Sequence, residues 1–431
     1  MKADLLSAAI KNGGFDCALK ALYGSAAIAA QRVRYAGAAE KFAALFGGGR
    51  DAHLFSVPGR SEISGNHTDH NNGRVLAAAV NLDIIAVAAK SDGNVINIKS
   101  EGFDNSAVDL ENITPGAAER FTSDALIAGV CDGFKNNGYN IGAFDAYTTS
   151  SVAKGSGLSS SAAFEVMCGN ILNHFYNGSA VSAPELAKIS QYAENVFFGK
   201  PCGLMDQTAC AVGGFVEIDF LDPANPITDK MTFDLSAKGY SLCVTNTGGN
   251  HADLNEDYAS VPAEMKAVAA HFGKKTLRGL CADEVLGELR ILREKTGDRA
   301  LLRALHFIGE NDRVERQTQA LRSGDFGAFL DGVNESGRSS FMWLQNVYTT
   351  QNVSEQGISL ALAVSESVLS KSGLKWGVRV HGGGFAGTVA AFVPDAILGE
   401  YRAAMDAAFG AGACTPLRIR AAGAVMLGDL L

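Results

Sequence analysis

The chain is 431 residues long, 47% hydrophobic and carries a formal net charge of −9. That length exceeds what one core ordinarily supports, so two domains are expected, with enough apolar content to bury both. The acidic balance argues against nucleic acid or an anionic membrane as the main partner.

At the N-terminus, Asp4 and Lys11 interrupt MKADLLSAAIKNGGF, which therefore reads poorly as a secretory signal. Residues 1–33 read as an N-terminal extension with a helix-compatible run from Ala26 to Ala30. Tyr35, Ala38, Ala39, Phe42, Leu45 and Phe46 share one 3.6-period face, predicting a helix from about Arg34 to Phe46 that stops at Gly47-Gly48-Gly49. A strand from His53 to Val57 then delivers Pro58-Gly59-Arg60. Val75 to Ala89 and Asn94 to Lys99 read as further strands; the first is too short to span a bilayer and carries Asn81 and Asp83. Helices are predicted over Phe121 to Phe134, Ala162 to Phe175 and Ala183 to Phe198, the last opening on a Ser182-x-x-Glu185 capping box.

FVEIDF, Phe215 to Phe220, alternates as a half-buried strand does, and the DPANPITDK after it is the best boundary candidate. The second half opens on a strand at Tyr240 to Thr245, runs through long helices and closes with two strands around the glycines at 382 to 387. Mixed α and β in two domains is the expected class. Eight cysteines, Cys17, Cys131, Cys168, Cys202, Cys210, Cys243, Cys281 and Cys414, show no C-x-x-C pair, and read as buried or reduced thiols of a cytoplasmic protein.

Four stretches concentrate polar chemistry. GRSEISGNHTDHNNG, Gly59 to Gly73, packs Arg60, Glu62, Asp69 and two histidines into one run. KGSGLSSSAAFEV, Lys154 to Val166, places Gly155, Gly157 and three serines at the start of an apolar helix, where N–H groups, hydroxyls and the positive dipole end can cradle phosphate. The same residues also suit a flexible loop ending in a Ser cap. In GKPCGLMDQTA, Gly199 to Ala209, Asp206 is either a buried carboxylate that needs a positive partner or a helix cap. RVHGGGFAGTVAAF, from Arg379, is either a tight turn or a second wall of a phosphate site. A carboxylate such as Glu194 with a serine hydroxyl beside phosphates suits Mg²⁺, a hard ion that prefers oxygen.

Three of these stretches, in this order and spacing, resemble the signature motifs of the GHMP kinases. The first is similar to the galactokinase signature, close to PGRVNLIGEHTDYNGG. RYAGAAEKFAALFG, PCGLMDQ, RALHFIGENDRV from Arg303 and the NES at Asn334 to Ser336 extend the similarity over about residues 34 to 393.

The resemblance implies an α+β, two-domain GHMP kinase architecture. Residues 34–228 would form an N-terminal α/β domain that binds sugar and phosphate, and residues 229–431 a C-terminal ferredoxin-like α/β domain, with ATP and sugar between them. It implies Arg60 and Asp206 as the catalytic pair and Gly155, Ser156, Gly157, Leu158, Ser159, Ser160 and Ser161 as the phosphate loop. Ser161 and Glu194 become the Mg²⁺ ligands. Asn66, His67, Asp69, Gly203 and Tyr258 become the sugar contacts. The implied reaction is ATP-dependent phosphorylation of a sugar, galactose foremost, at its anomeric hydroxyl; a catalytically silent sugar sensor is the other class.

Several positions depart from the family pattern. Asn66 stands where galactokinases have Glu, Ser61-Glu62 replace Val-Asn, and His70 replaces Tyr or Phe. Losing a charged acceptor at residue 66 admits a uronic acid, an amino sugar, a 6-deoxy sugar or arabinose as alternatives to galactose. Ser123 falls where many members place a Trp near adenine, and Ala386 replaces a Gly, which is tolerable only at negative φ. Residues Val347 to Asn352 do not resemble the family's Ser-Cys-Pro-Glu segment.

Overall fold

The structure is a computed structural model that describes residues 1–152, 157–249 and 254–431. Its strands, in chain order, are β1 (His53–Ser64), β2 (Arg74–Lys90), β3 (Val95–Ser100), β4 (Asn105–Asp109), β5 (Phe144–Ser150), β6 (Phe215–Asp219), β7 (Ile227–Met231), β8 (Tyr240–Asn246), β9 (Gly377–His381), β10 (Thr388–Pro394), β11 (Cys414–Leu417) and β12 (Val425–Met426). The chain forms two compact units. One comprises 1–60, 79–214 and 420–431; the other comprises 61–78 and 215–419.

In the first unit the strand order is β12-β1-β2-β5-β3-β4, with β12–β1, β2–β5 and β3–β4 antiparallel and β3–β5 parallel. Ile85, Val87 and Ala89 of β2 join Leu54 and Tyr147 in one core with the helices Ala3–Lys11, Asp16–Tyr23 and Ile28–Phe46. The alternate residues Ile84, Ala86 and Ala88 point to the other face and are buried as well, which is why β2 reads as a continuous apolar run.

Asp83 is the buried polar exception within that run. Its buried carboxylate receives Arg34 Nη1 at 2.6 Å, Arg420 Nη1 at 3.1 Å, Tyr23 Oη at 2.5 Å and the Ser56 hydroxyl. One carboxylate thereby ties the N-terminal helices, β1 and the C-terminal segment together. The first 33 residues are thus packed structure. No helix among the described residues is long and apolar enough to cross a membrane.

In the second unit a four-stranded antiparallel sheet runs β11-β8-β10-β9. A core of Cys243, Val378, Val380, Val389, Ala391 and Val393 packs it against helices Gly357–Leu369 and Leu398–Phe409. A second core joins helix Asn255–His271 to the long helix Asp298–Ser323 through Val261, Met265, Leu301, Ala304 and Phe307. The hairpin β6–β7 pairs through β6 with the first residues of β2, and DPANPITDK supplies its turn and much of β7.

Three local expectations are revised. FVEIDF is buried along all five residues of β6, because Glu217 and Asp219 are paired with Arg74 at 3.0 and 3.2 Å and so can leave water. The Ser182 hydroxyl caps its helix at 3.4 Å, but the Glu185 carboxylate takes the Tyr139 hydroxyl instead of closing a capping box. β1 does not end at Val57 but runs through Pro58 to Ser64, carrying the first half of the polar signature as strand.

Candidate active site

The residues of the first unit expected to handle phosphate converge on Arg60. Its guanidinium forks onto Asp206, with Nε to Oδ1 at 2.7 Å and Nη2 to Oδ2 at 2.8 Å. Its third nitrogen, Nη1, donates to the Gly157 carbonyl at 2.5 Å, and its backbone N–H donates to the Leu158 carbonyl at 3.2 Å. A Cβ at Gly59 would stand 2.7 Å from that same Leu158 oxygen, so glycine is required for β1 to approach the serine loop.

Ser159 takes a left-handed φ of 57° just ahead of helix Ser160–Asn177, and its hydroxyl donates to Asp206. It therefore does not cap its own helix, and among the described residues no other side chain caps the first N–H groups. Gly155 and Ser156 lie outside the described residues. Asp206 sits in the first turn of helix Met205–Val212 and is not its cap. Burial pushes the Asp206 carboxyl up, but Arg60 and the Ser159 hydroxyl outweigh it and hold the group below the usual carboxylate range.

The second oxygen centre of this unit is Glu194, buried in a wide turn of residues Ala193–Phe198. Its Oε1 faces the Ser161 hydroxyl at 3.3 Å and the Lys200 ammonium at 3.2 Å, and its Oε2 accepts from Gln207 Nε2 at 2.8 Å. The same Gln207 nitrogen reaches Glu165 at 3.2 Å, a fully buried carboxyl whose pKa burial and the neighbouring Glu194 raise well above normal. Among the described residues no cluster of three or more metal-binding side chains exists. A carboxylate and a hydroxyl in line, both hard oxygen donors, fit Mg²⁺, which keeps several waters and takes the rest of its ligands from phosphates. Gly203 is exposed, two residues before this helix.

In the second unit the residues expected to grip sugar meet the glycines of the third motif. Three successive carbonyls accept side-chain hydrogen bonds from them: Gly382 from Asn66 Nδ2 at 2.7 Å, Gly383 from His67 Nε2 at 2.8 Å, and Gly384 from Tyr258 Oη at 2.9 Å. Phe385, at φ 59°, stands edge-on to Tyr258 with ring centroids 5.3 Å apart. Ala386 is not among the positive-φ residues, so its methyl group is accommodated. His67 and Asp69 remain partly exposed, Asp69 opening the short turn Asp69–Asn71.

Asn66, expected as a sugar contact, has its amide held by protein partners. It is 0% exposed. Its Nδ2 also donates to Glu62 Oε1 at 3.0 Å, and its Oδ1 accepts from Asn346 Nδ2 at 2.6 Å and Ser340 Oγ at 3.3 Å. The amide is consumed inside the unit. His70 is structural as well: Asn71 Nδ2 donates to its Nδ1 at 2.9 Å, and burial pushes its imidazole down to about 4.

Two family models match the chain: "Galactokinase galactose-binding signature" over residues 40–90 and "GHMP kinases N terminal domain" over residues 125–214. A galactokinase of Streptomyces coelicolor is 31% identical over 387 residues, 88% of this chain and 94% of that protein. The chain belongs to the galactokinases. A galactokinase of Actinobacillus pleuropneumoniae is 29% identical over 83% of this chain and 89% of its own.

Among solved structures, Lactococcus lactis galactokinase complexed with galactose superposes with a TM-score of 0.76 at 23% identity, covering 91% of this chain and 99% of that one. Methanococcus jannaschii mevalonate kinase gives 0.58 at 14% identity, covering 86% and 99%. The fold is accordingly the α+β GHMP kinase fold, and the family makes the chain a kinase, a phosphotransferase.

Sequence reasoning missed Gln207, Glu165, Glu310 and His306. The last two sit in RALHFIGENDRV, where Arg303, His306, Glu310 and Arg313 follow one helical stripe that continues to Gln317, and all five are buried. Polar residues repeating at core spacing were the available signal.

Proposed function

We propose that the chain transfers the γ-phosphoryl group of ATP to the anomeric hydroxyl of galactose, with Mg²⁺ held by Ser161 and Glu194. The observation that carries this reading is the Arg60 fork on Asp206, locked to the serine loop by Gly157 and Ser159. Family membership supplies the substrate class.

Phosphoryl transfer depends mostly on positioning and charge stabilisation. Asp206, kept ionised by Arg60, orients the attacking hydroxyl and takes its proton late, when the oxygen has become acidic by bonding to phosphorus. Arg60 holds Asp206 in one rotamer and offsets charge that develops on the transferred oxygens. Helix Ser160–Asn177 presents its N-terminal N–H groups to phosphate. Mg²⁺, when bound, neutralises phosphate charge. His67, Asp69, Gly203 and Tyr258 are proposed to recognise the sugar.

Galactose is favoured over the charged and deoxy alternatives because Asn66, the residue that suggested them, is withdrawn from solvent. Eight free cysteines support a reducing, cytoplasmic setting. The test is ADP release across galactose, galacturonate, galactosamine, N-acetylgalactosamine, fucose and arabinose, with phosphorus NMR to place the new phosphate. Release with galactose at C1 upholds the reading; turnover confined to another sugar, or none with any, rejects it.

A further inference from the structure

The residues that would recognise sugar hang on a short turn with unusual backbone demands. Gly65 has a φ of 92° and His67 one of 57°, and a Cβ at Gly65 would lie 2.5 Å from the Arg74 carbonyl. Such a turn persists only where its surroundings over-determine it.

The surroundings come from the long helix Asp298–Ser323. Glu310, 0% exposed, accepts at Oε1 from the Gly65 N–H at 2.9 Å, the Asn66 N–H at 3.4 Å, the Ser64 hydroxyl at 3.1 Å and the Ser336 hydroxyl at 2.6 Å. Its Oε2 accepts from Arg313 Nε at 2.7 Å. One turn earlier His306 donates from Nε2 to the Asn66 carbonyl at 3.0 Å, while its Nδ1 takes the Ser339 hydroxyl at 2.8 Å. Both peptide groups flanking Asn66 are thus held from the same helix, on their N–H and C=O sides.

We infer that Glu310 and His306 are positioning residues for galactose recognition: they clamp the backbone of residues 64–66 and so fix where His67 and Asp69 stand. Neither need touch substrate. Their protonation states suit the task. Burial pushes the Glu310 carboxyl up, but Arg313 and the neighbouring donors hold it far below the usual range, so it is a pure acceptor. Burial holds the His306 imidazole down at about 4, so it is neutral, with one nitrogen donating and the other accepting.

The consequence for sugar affinity rests on the galactose kinase reading; the clamp itself does not. The unaltered chain is compared with Glu310→Gln and with Val314→Ala, a buried change on the same helix that makes no hydrogen bond to either peptide group. The amide oxygen of Glu310→Gln faces the same donors without charge, so the Gly65 and Asn66 amides should exchange with deuterium about tenfold faster or more, which Val314→Ala should not reproduce. The KM for galactose should rise about tenfold while the KM for ATP stays within about twofold.

Unchanged exchange at Gly65 and Asn66 overturns the clamp, and faster exchange with an unmoved galactose KM overturns its role in recognition. If Glu310→Gln does not fold, His306→Leu is expected to give the same pair of effects and His306→Gln, whose amide can still donate, to reverse them; failure of both expectations overturns the inference. Should the unaltered protein phosphorylate no sugar, the kinase reading fails and the amide exchange still decides the clamp.

Discussion

Asn66 donates a 3.0 Å hydrogen bond to Glu62, at two positions where the family signature carries Glu and Asn in the opposite order. The pair has exchanged its members. The carboxylate at residue 62 accepts Arg379 Nη2 at 2.8 Å, and both of those side chains are buried. Restoring the family residue at 66 alone would bring two carboxylates together beside the Gly382 carbonyl.

The exchange predicts non-additive energetics. Asn66→Glu alone should cost about 3–5 kcal/mol, the usual scale for an uncompensated buried charge, and Glu62→Asn alone a similar amount by stranding Arg379. The double variant should recover at least about 1 kcal/mol relative to the sum, because each partner again meets its complement. Urea unfolding of the four proteins measures this. Strict additivity would show that the two positions are independent.

Asp206→Asn keeps the size of the side chain and removes its charge. The expected outcome is a fall in turnover of about 10²–10⁴-fold, with ATP binding still measurable by calorimetry. Arg60→Lys should also lower turnover, since an ammonium cannot make the two-pronged contact on Asp206. ADP release by each variant is the readout; undiminished turnover in Asp206→Asn removes Asp206 from the chemistry.

Much of this site could be read from the sequence because phosphate chemistry needs glycine, serine and charge in short runs, as around Arg60, Ser159 and Asp206. A sequence position does not say which way an amide points, and four polar partners draw that of Asn66 inward. Glu310 and His306 stayed hidden because charges on a long helix ordinarily face water. The burial of a stripe that also carries Ala300, Ala304, Phe307 and Val314 shows otherwise. β1 was cut short because glycine and asparagine density reads as loop, whereas here glycine serves a strand that approaches another backbone.

Gln207 donates one nitrogen to both Glu194 and Glu165, and so fixes the other oxygen of Glu194, Oε1, toward Ser161 and Lys200. Outer partners of this kind typically change metal affinity by about 10–100-fold when removed. Gln207→Leu should therefore raise the Mg²⁺ concentration for half-maximal turnover by about tenfold or more, with little change in galactose KM. A titration of activity against Mg²⁺ decides it, and an unshifted midpoint would detach Gln207 from the metal.

His306 gives the fold an acid limb that can be placed on the pH axis. Its folded pKa is lowered from 6.5 to about 4 by burial, so between those values the unfolded chain binds a proton that the folded chain refuses. Stability is therefore fully present above pH ~6.5 and is lost as pH falls toward ~4, by at most about 3 kcal/mol for a shift of this size. His306→Gln has no group to titrate and should lose less stability over the same interval, even if it begins lower at pH 7. Denaturant midpoints taken at half-unit steps from pH 7 to pH 4 compare the two slopes, and parallel curves would mean that His306 does not carry the acid sensitivity.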